Sequence, residues 1–366
     1  MFVTALIFIG ILLVLILVHE LGHFIMAKKS GARVEEFGFG FPPRVFGIKK
    51  GETLYSLNLL PVGGFVKIYG EDGPPPGGEK GDPKSFSSKS IWTRSIIVAA
   101  GVLMNVLLAV VLFSVGHAIG LPQALDGLPP LADVKNISIR VSDVAEGSPA
   151  QEADIHIGDI VFRVSIASED IADVADIKDI QGFIDHHLGD EILVTVRRGD
   201  EIIEKKLVPR SNPPENEGPI GIAMLKTGEV SYPFYLAPIK GVQSTFLVAS
   251  ATVREFFNII SDFLSTGSFR GELSGPVGIA VMTGQVTQLG FIFLLQFVAL
   301  ISINLAIINI LPFPALDGGR LLFFAIERIK GSPVNQKYEK LAHTVGFVVL
   351  ILLMIVITFR DVGRFL

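Results

Sequence analysis

An apolar run that starts at Phe2 leads without a break into His19-Glu20-Leu21-Gly22-His23 and on to Ala27. Few structures accommodate such a run. At ~1.5 Å per residue, a helix over these residues crosses a ~30 Å hydrocarbon layer, where every backbone polar group must be satisfied internally. No basic segment precedes it and no small-residue cleavage site precedes His19, so we expect it to be retained as a span. On that helix the two imidazoles lie one turn apart on one face, placed to share a zinc ion, with Glu20 beside the attacking water. This is the chemistry of a zinc hydrolase. H-E-x-x-H alone recurs by chance, and a helix end meeting water would leave these side chains merely solvated. Ionisable groups at membrane depth are costly and mark function, which favours the site reading.

Composition agrees with a membrane protein carrying soluble parts. Of the 366 residues 49% are hydrophobic and 18% charged, leaving room for several spans and one domain of ordinary size. The absence of Cys excludes thiol catalysis, disulfides and Cys-based metal sites. A net charge of −5 hides segregation: residues 24–95 hold 11 Lys/Arg against 7 Asp/Glu, whereas residues 121–233 hold 10 against 21. No basic, aromatic-interleaved groove is present, so no nucleic-acid partner is expected.

Further apolar runs predict spans over 91–119, 289–311 and 341–358, making about four with 2–27. Lys28, Lys29, Arg33 and Arg94 mark cytoplasmic ends, which places both termini outside the cytoplasm in a multi-pass membrane protein. The predicted organisation is a first membrane half (1–120), an acidic domain (121–210), a linker with amphipathic helices (211–285) and a second membrane half (286–366). Within the first half, a β loop over 53–69 reads as two short strands, Thr53–Leu59 and Phe65–Tyr69, about a turn at Pro61-Val62-Gly63-Gly64. It is either an ordinary hairpin or an exposed edge for an extended substrate. Gly73–Lys84 reads as a loop.

In the acidic domain, strands are predicted at 138–141 and 158–164, a turn into a short helix at 146–151, a helix at 177–187, and a hairpin of 190–196 with 201–208 through Arg198-Gly199-Asp200. Gly147-Ser148-Pro149-Ala150 followed by Gly158-Asp159-Ile160 resembles a PDZ domain, an α+β fold. Ala153-Asp154-Ile155 stands where such domains carry Ala-Gly-Leu, and no Gly-Leu-Gly-Phe-type loop is visible, so a PDZ peptide ligand stays open. Residues 211–233 read as a polar linker, and 239–263 as one or two amphipathic helices on the outer membrane surface or against the acidic domain. His117, His156, His186 and His187 read as surface or interfacial, and His343 as interfacial.

A catalytic zinc commonly has three protein ligands, and His19 and His23 supply two. The inward first span reaches them about 26 to 32 Å along from Phe2. The third span also runs inward and ends in Asn309-Ile310-Leu311-Pro312-Phe313-Pro314-Ala315-Leu316-Asp317-Gly318-Gly319. Pro312 and Pro314 break the helix, which at membrane depth requires burial in protein or a wet cavity. Asp317, with flexible glycines behind it and Asn309 nearby, is the third ligand this topology selects. In the second span Gly101 and Asn105 lie one turn apart, either for packing against the first span or for catalysis.

His19-Glu20-Leu21-Gly22-His23, with Asn309-x-x-Pro312-x-Pro314-x-Leu316-Asp317-Gly318 downstream and a PDZ-like domain between, resembles the site-2 protease family of the bacterial regulator-of-sigma-E type, over essentially the whole chain. The resemblance implies an intramembrane Zn²⁺ endopeptidase of a bacterial cytoplasmic (inner) membrane, in contact with membrane lipids. Its substrates would be transmembrane proteins: anti-sigma factors or signal-peptide remnants in regulated intramembrane proteolysis. It implies that Gly101-x-x-x-Asn105 is the family's second-span motif, and that Gly63, Gly64 and Phe65 belong to a membrane-associated β loop presenting substrate as a strand. Asn309 is then a polar contact to the unwound substrate or its developing oxyanion. The rival readings are a membrane zinc protease with a Glu third ligand and a non-catalytic membrane-tethered PDZ adaptor.

Overall fold

The computed structural model describes residues 2–71, 73, 82–125, 132–166, 169–172, 174, 176–199, 201–214, 217–267 and 274–365. Most of the predicted 73–84 loop, and Asp200 of the predicted turn, lie outside these. The chain begins with α1 (Phe2–Lys29), β1 (Val34–Lys50), β2 (Thr53–Ile68) and α2 (Ile91–Ile119). It continues with β3 (Leu121–Ala124), β4 (Asp133–Val144), α3 (Pro149–Glu152), β5 (Ile160–Ile166), β6 (Glu169–Ala172), α4 (Ile177–His186), β7 (Ile192–Arg198), β8 (Glu201–Leu207) and β9 (Ile222–Ser231). It ends with α5 (Ala237–Thr266), α6 (Pro276–Gln288), α7 (Phe291–Ile310), α8 (Asp317–Lys330) and α9 (Gln336–Phe365). Two compact units result: Met1–Ser114 with Pro238–Thr287 and Leu295–Leu366, and Val115–Ala237 with Gln288–Leu294.

Among the described residues, four helices, in α1, α2, α7 and α9, are long and apolar enough to cross a membrane. In lipid, apolar contact alone does not draw helices together, so small residues and polar bonds must. Both are present in the first unit. A Cβ at Gly22 of α1 would lie 2.3 Å from the Ala100 carbonyl oxygen of α2, so only glycine permits this approach. Ser302 Oγ of α7 donates to the Asn105 carbonyl of α2 at 2.8 Å, and neither residue is exposed. Near the first turn of α2, Ala27, Val34, Ile68, Phe86, Ile97 and Phe324 form a buried cluster. Arg94 closes it, lying over the Phe324 ring at 4.9 Å and pairing with Glu327 at 2.6 Å.

The β region departs from the predicted pair of short strands. The reversal lies at Gly51 (φ +62°) and Glu52, and β2 runs through the supposed glycine turn as one bent strand. Glu36–Phe39 is held between two stretches of β2: Gly64–Lys67 runs against it on one side, and Leu54–Leu57 ascends beside it on the other. Phe46–Lys50 pairs with Thr53–Leu57 as the hairpin. Gly64–Lys67 is therefore a sheet edge, with no second strand beside it among the described residues. Residues 41–50 are exposed throughout, including Phe41, Val45, Phe46 and Ile48, an apolar surface suited to lipid.

The glycines behind Asp317 are not flexible either. Gly318 and Gly319 are buried in α8, and Cβ atoms there would lie 2.1 Å from the Leu311 and 2.3 Å from the Phe313 carbonyl oxygen.

The second unit is a seven-stranded antiparallel sheet of order β3-β9-β4-β5-β7-β8, with β6 on β5. Strand β9 falls inside the predicted 211–233 linker and corrects it. Glu229 is exposed, while Gly228 and Val230 are buried between β3 and β4. The core takes alternate residues of β7 (Ile192, Val194, Val196) with Val161, Val164, Ile180 and Phe183. Each such burial is worth about 1.5–3 kcal/mol. Asp176 caps α4, and the Lys178 N–H it accepts holds its carboxyl below the usual range. His186 and His187 bond back through Nδ1 to the carbonyls of Gly182 and Phe183 in their own helix. His117 is buried against the Tyr232 ring rather than at the surface.

Asp159, 1% exposed, accepts Arg198 Nε and Nη2, both at 2.8 Å, and the His156 N–H at 2.9 Å. Asp159→Ala should destabilise this unit by about 3 kcal/mol, the low end for a broken buried pair because Arg198 keeps a wet edge. Hydrogen exchange of β5 and β7 in the full chain measures the loss. Unchanged protection would contradict it.

Candidate metal centre

Three side chains from opposite ends of the chain converge where α1 and α2 touch. His19 Nε2 lies 3.2 Å from His23 Nε2, and Asp317 Oδ2 lies 3.1 Å from the first and 3.3 Å from the second. A tetrahedral ion holding ligands at ~2.0–2.1 Å separates them by about 3.3 Å, which these spacings match. Asp317 Oδ2 is buried and accepts no hydrogen bond, as a ligand atom would. Among the described residues, this is the group of His and carboxylate side chains able to hold a metal. Two imidazoles and a carboxylate are the donor set of a three-ligand catalytic zinc site, so the residues present fit the ion the sequence implies.

The surroundings fix the donors. His23 Nδ1–H donates to the Ile97 carbonyl at 2.9 Å, which commits Nε2 to the ligand face. Asn105, fully buried, reaches His19 Nδ1 with its amide at 3.5 Å, and its Oδ1 is buried without a partner. Turning this amide over gives His19 Nδ1–H an acceptor and leaves Nε2 toward Asp317. Gly101 completes the cradle, since a Cβ there would lie 2.4 Å from His23 Nε2. A cavity of about 260 Å³ opens beside the cluster, lined by Ile16, His19, Glu20, Leu305, Asn309, Ala315, Leu316 and Asp317.

Comparison with known proteins agrees with this geometry. The model of peptidase family M50 matches residues 7–353. The chain belongs to peptidase family M50. The Bacillus subtilis "Regulator of sigma-W protease RasP" is 31% identical, with 99% of this chain and 98% of that protein covered. The Geobacillus kaustophilus "Zinc metalloprotease RasP" is 30% identical, covering 98% and 97%. A Clostridium perfringens relative is 34% identical over 351 residues, 95% of each chain. The site-2 protease resemblance thus holds for this M50 chain as a whole.

The remaining predicted residues of the M50 chain divide between cavity and frame. Gly64 brings the sheet edge to the cavity, for a Cβ there would lie 3.6 Å from Glu20 Cγ and 3.8 Å from Ile16 Cγ2. Gly63 adopts φ +125°, where a Cβ would meet the Phe41 ring at 2.7 Å. The Phe65 ring packs over Gly38 and stacks on Phe41 with centroids 6.5 Å apart, so it holds the sheet rather than facing the cavity. Asn309 lines the cavity, while Pro312 is exposed and Pro314 packs against Gly346. Sequence reasoning missed Ser302, the Ile97 carbonyl and His343. A small hydroxyl within a span was the available signal for Ser302. A backbone carbonyl leaves none. His343 is not simply interfacial: its Nδ1 accepts the Ala315 N–H at 2.9 Å.

Proposed function

We propose that this M50 chain is a zinc-dependent intramembrane endopeptidase in which His19, His23 and Asp317 hold the ion and Glu20 is the general base. The observation that carries this reading is the set of three donor atoms 3.1–3.3 Å apart beside a cavity that Glu20 also lines. Zinc, when bound, polarises a peptide carbonyl and acidifies water. Glu20 takes a proton from the attacking water and delivers it to the leaving nitrogen. Asn309 supplies a polar contact across the cavity to the unwound backbone or the developing oxyanion. A transmembrane helix hides its carbonyls in its own hydrogen bonds, so it must unwind to be cut. The Gly64–Lys67 edge, running past Glu20, offers replacement backbone partners.

The B. subtilis relative is named a regulator of sigma-W protease, which favours anti-sigma-factor transmembrane segments as substrates here, alongside signal-peptide remnants. The apolar helices and the basic ends of α1 and α2 support a bacterial cytoplasmic membrane location with both termini outside. The β4–β8 region supports a PDZ-like extracytoplasmic domain. The rival with a Glu third ligand has no support from the donor group, in which the carboxylate is Asp317.

Purified full-length protein should carry about one zinc per chain. Stripping it with a chelator should abolish cleavage of a model transmembrane substrate, and zinc should restore it. Protein without zinc, or cleavage that survives the chelator, would sink the proposal. Asp317→Asn retaining full zinc and cleavage would favour the Glu-ligand rival instead.

A further inference from the structure

The segment 311–316 carries Asp317 from the end of α7 to the start of α8, and its geometry is unusual at one residue. Ala315 has φ +83°, a left-handed conformation that a non-glycine residue holds only when its surroundings impose it. Neighbouring turn bonds run from the Phe313 N–H to Leu311 and from the Leu316 N–H to Phe313. The Ala315 N–H instead leaves the loop and donates to His343 Nδ1 of α9 at 2.9 Å. Accepting there requires an imidazole with its proton on Nε2, and that nitrogen is buried without a partner. The ring packs 5.5 Å from Phe323 of α8. One turn along α9, a Cβ at Gly346 would lie 2.3 Å from the Pro314 carbonyl oxygen, so the helix is pressed against the loop and cannot shift toward it.

Two contacts of α9 with this loop thus fall on Pro314 and Ala315, three and two residues before the one that enters the donor cluster. We propose that His343 is a positioning residue for the metal centre. Its imidazole holds Ala315 in the left-handed kink that aims Asp317 at His19 and His23. The last helix then sets the coordination geometry without touching the ion. This inference rests on the proposed role of Asp317 as a ligand.

The test compares zinc affinity and the visible spectrum of the cobalt-substituted full-length protein for wild type, His343→Leu and His343→Asn. Asn keeps an acceptor where Nδ1 stands, and Leu removes it. We expect His343→Leu to bind zinc at least tenfold more weakly, with weakened tetrahedral cobalt bands and a lower kcat at little-changed KM. His343→Asn should recover to within about threefold of wild type. Equal affinity and spectra for Leu and wild type, or Asn as weak as Leu, would overturn the proposal. Should His343→Leu fail to fold, the comparison moves to Ala315→Gly, in which the loop carries no left-handed strain. There the added Leu should weaken zinc binding at least threefold, and no change would overturn the proposal. Wild type that binds no zinc would remove the ligand reading itself, a result separate from zinc-loaded wild type and Leu variant behaving alike.

Discussion

Glu20→Gln should leave zinc content at the wild-type level and lower kcat for cleavage of a model transmembrane substrate by about 10²–10⁴-fold. Zinc should stay because Glu20 is not one of the three converging donors. The rate should fall because Gln has nearly the shape of Glu but cannot accept the proton of the attacking water. Glu20 lines the cavity with Asn309 and Asp317, and Gly64 passes close to its Cγ. The substitution therefore removes a base without emptying the space where substrate lies, and KM should move little. Metal analysis alongside single-turnover cleavage measures both. Cleavage at the wild-type rate would falsify the assignment, and loss of zinc would show that Glu20 supports the donors instead.

That Glu20, His19, His23 and Asp317 were legible in the sequence has a physical reason. Each is a costly group at the depth of an apolar helix or just past its end, so each stands out against its neighbours. The long apolar helices were legible on the same ground, because a bilayer demands such helices. What the sequence obscured depends on partners distant in the chain. Strand β1 contains Gly38, Gly40, Pro42 and Pro43, which argue locally against a strand, yet Glu36–Phe39 is held by β2 on both sides. Strand β9 looks like a linker because only Gly228 and Val230 need burial once β3 and β4 flank it. Gly318 and Gly319 read as flexible, whereas their missing side chains admit the carbonyls of Ile310, Leu311 and Phe313. Glycine has two uses, conformational freedom and close approach, and sequence alone does not separate them.

Close approach also explains how these helices bring His19, His23 and Asp317 together where the hydrophobic effect between helices is weak. Gly22 seats α1 on the Ala100 carbonyl, and Ser302 ties α7 to α2 through the Asn105 carbonyl. Asn105 thereby has a backbone bond to α7 and a side chain at His19. The contacts that assemble the helices are the ones that orient the ligands. A small steric change at the α1–α2 contact should then act on metal binding before it acts on folding.

Gly101→Ala should lower zinc affinity by about 10²-fold, with activity falling in parallel and partly returning at high zinc. The added Cβ would lie 2.4 Å from His23 Nε2, 2.6 Å from His23 Cε1 and 2.8 Å from His19 Cε1, all closer than nonbonded atoms approach. Neither imidazole has freedom to yield, for His23 is bonded to the Ile97 carbonyl and His19 faces Asn105. Moving α2 outward would relieve the clash but open the contact of Gly22 with the Ala100 carbonyl. The methyl thus occupies the ligand face itself, and far-ultraviolet dichroism should remain near wild type while zinc is lost. Gly10→Ala is the matched control, since a Cβ at Gly10 of α1 meets nothing within 4 Å. Zinc titration of the two variants separates a steric effect at the ligands from a general intolerance of α1 and α2 to substitution. Gly101→Ala binding zinc as tightly as Gly10→Ala would show that the two helices can part without disturbing His19 and His23.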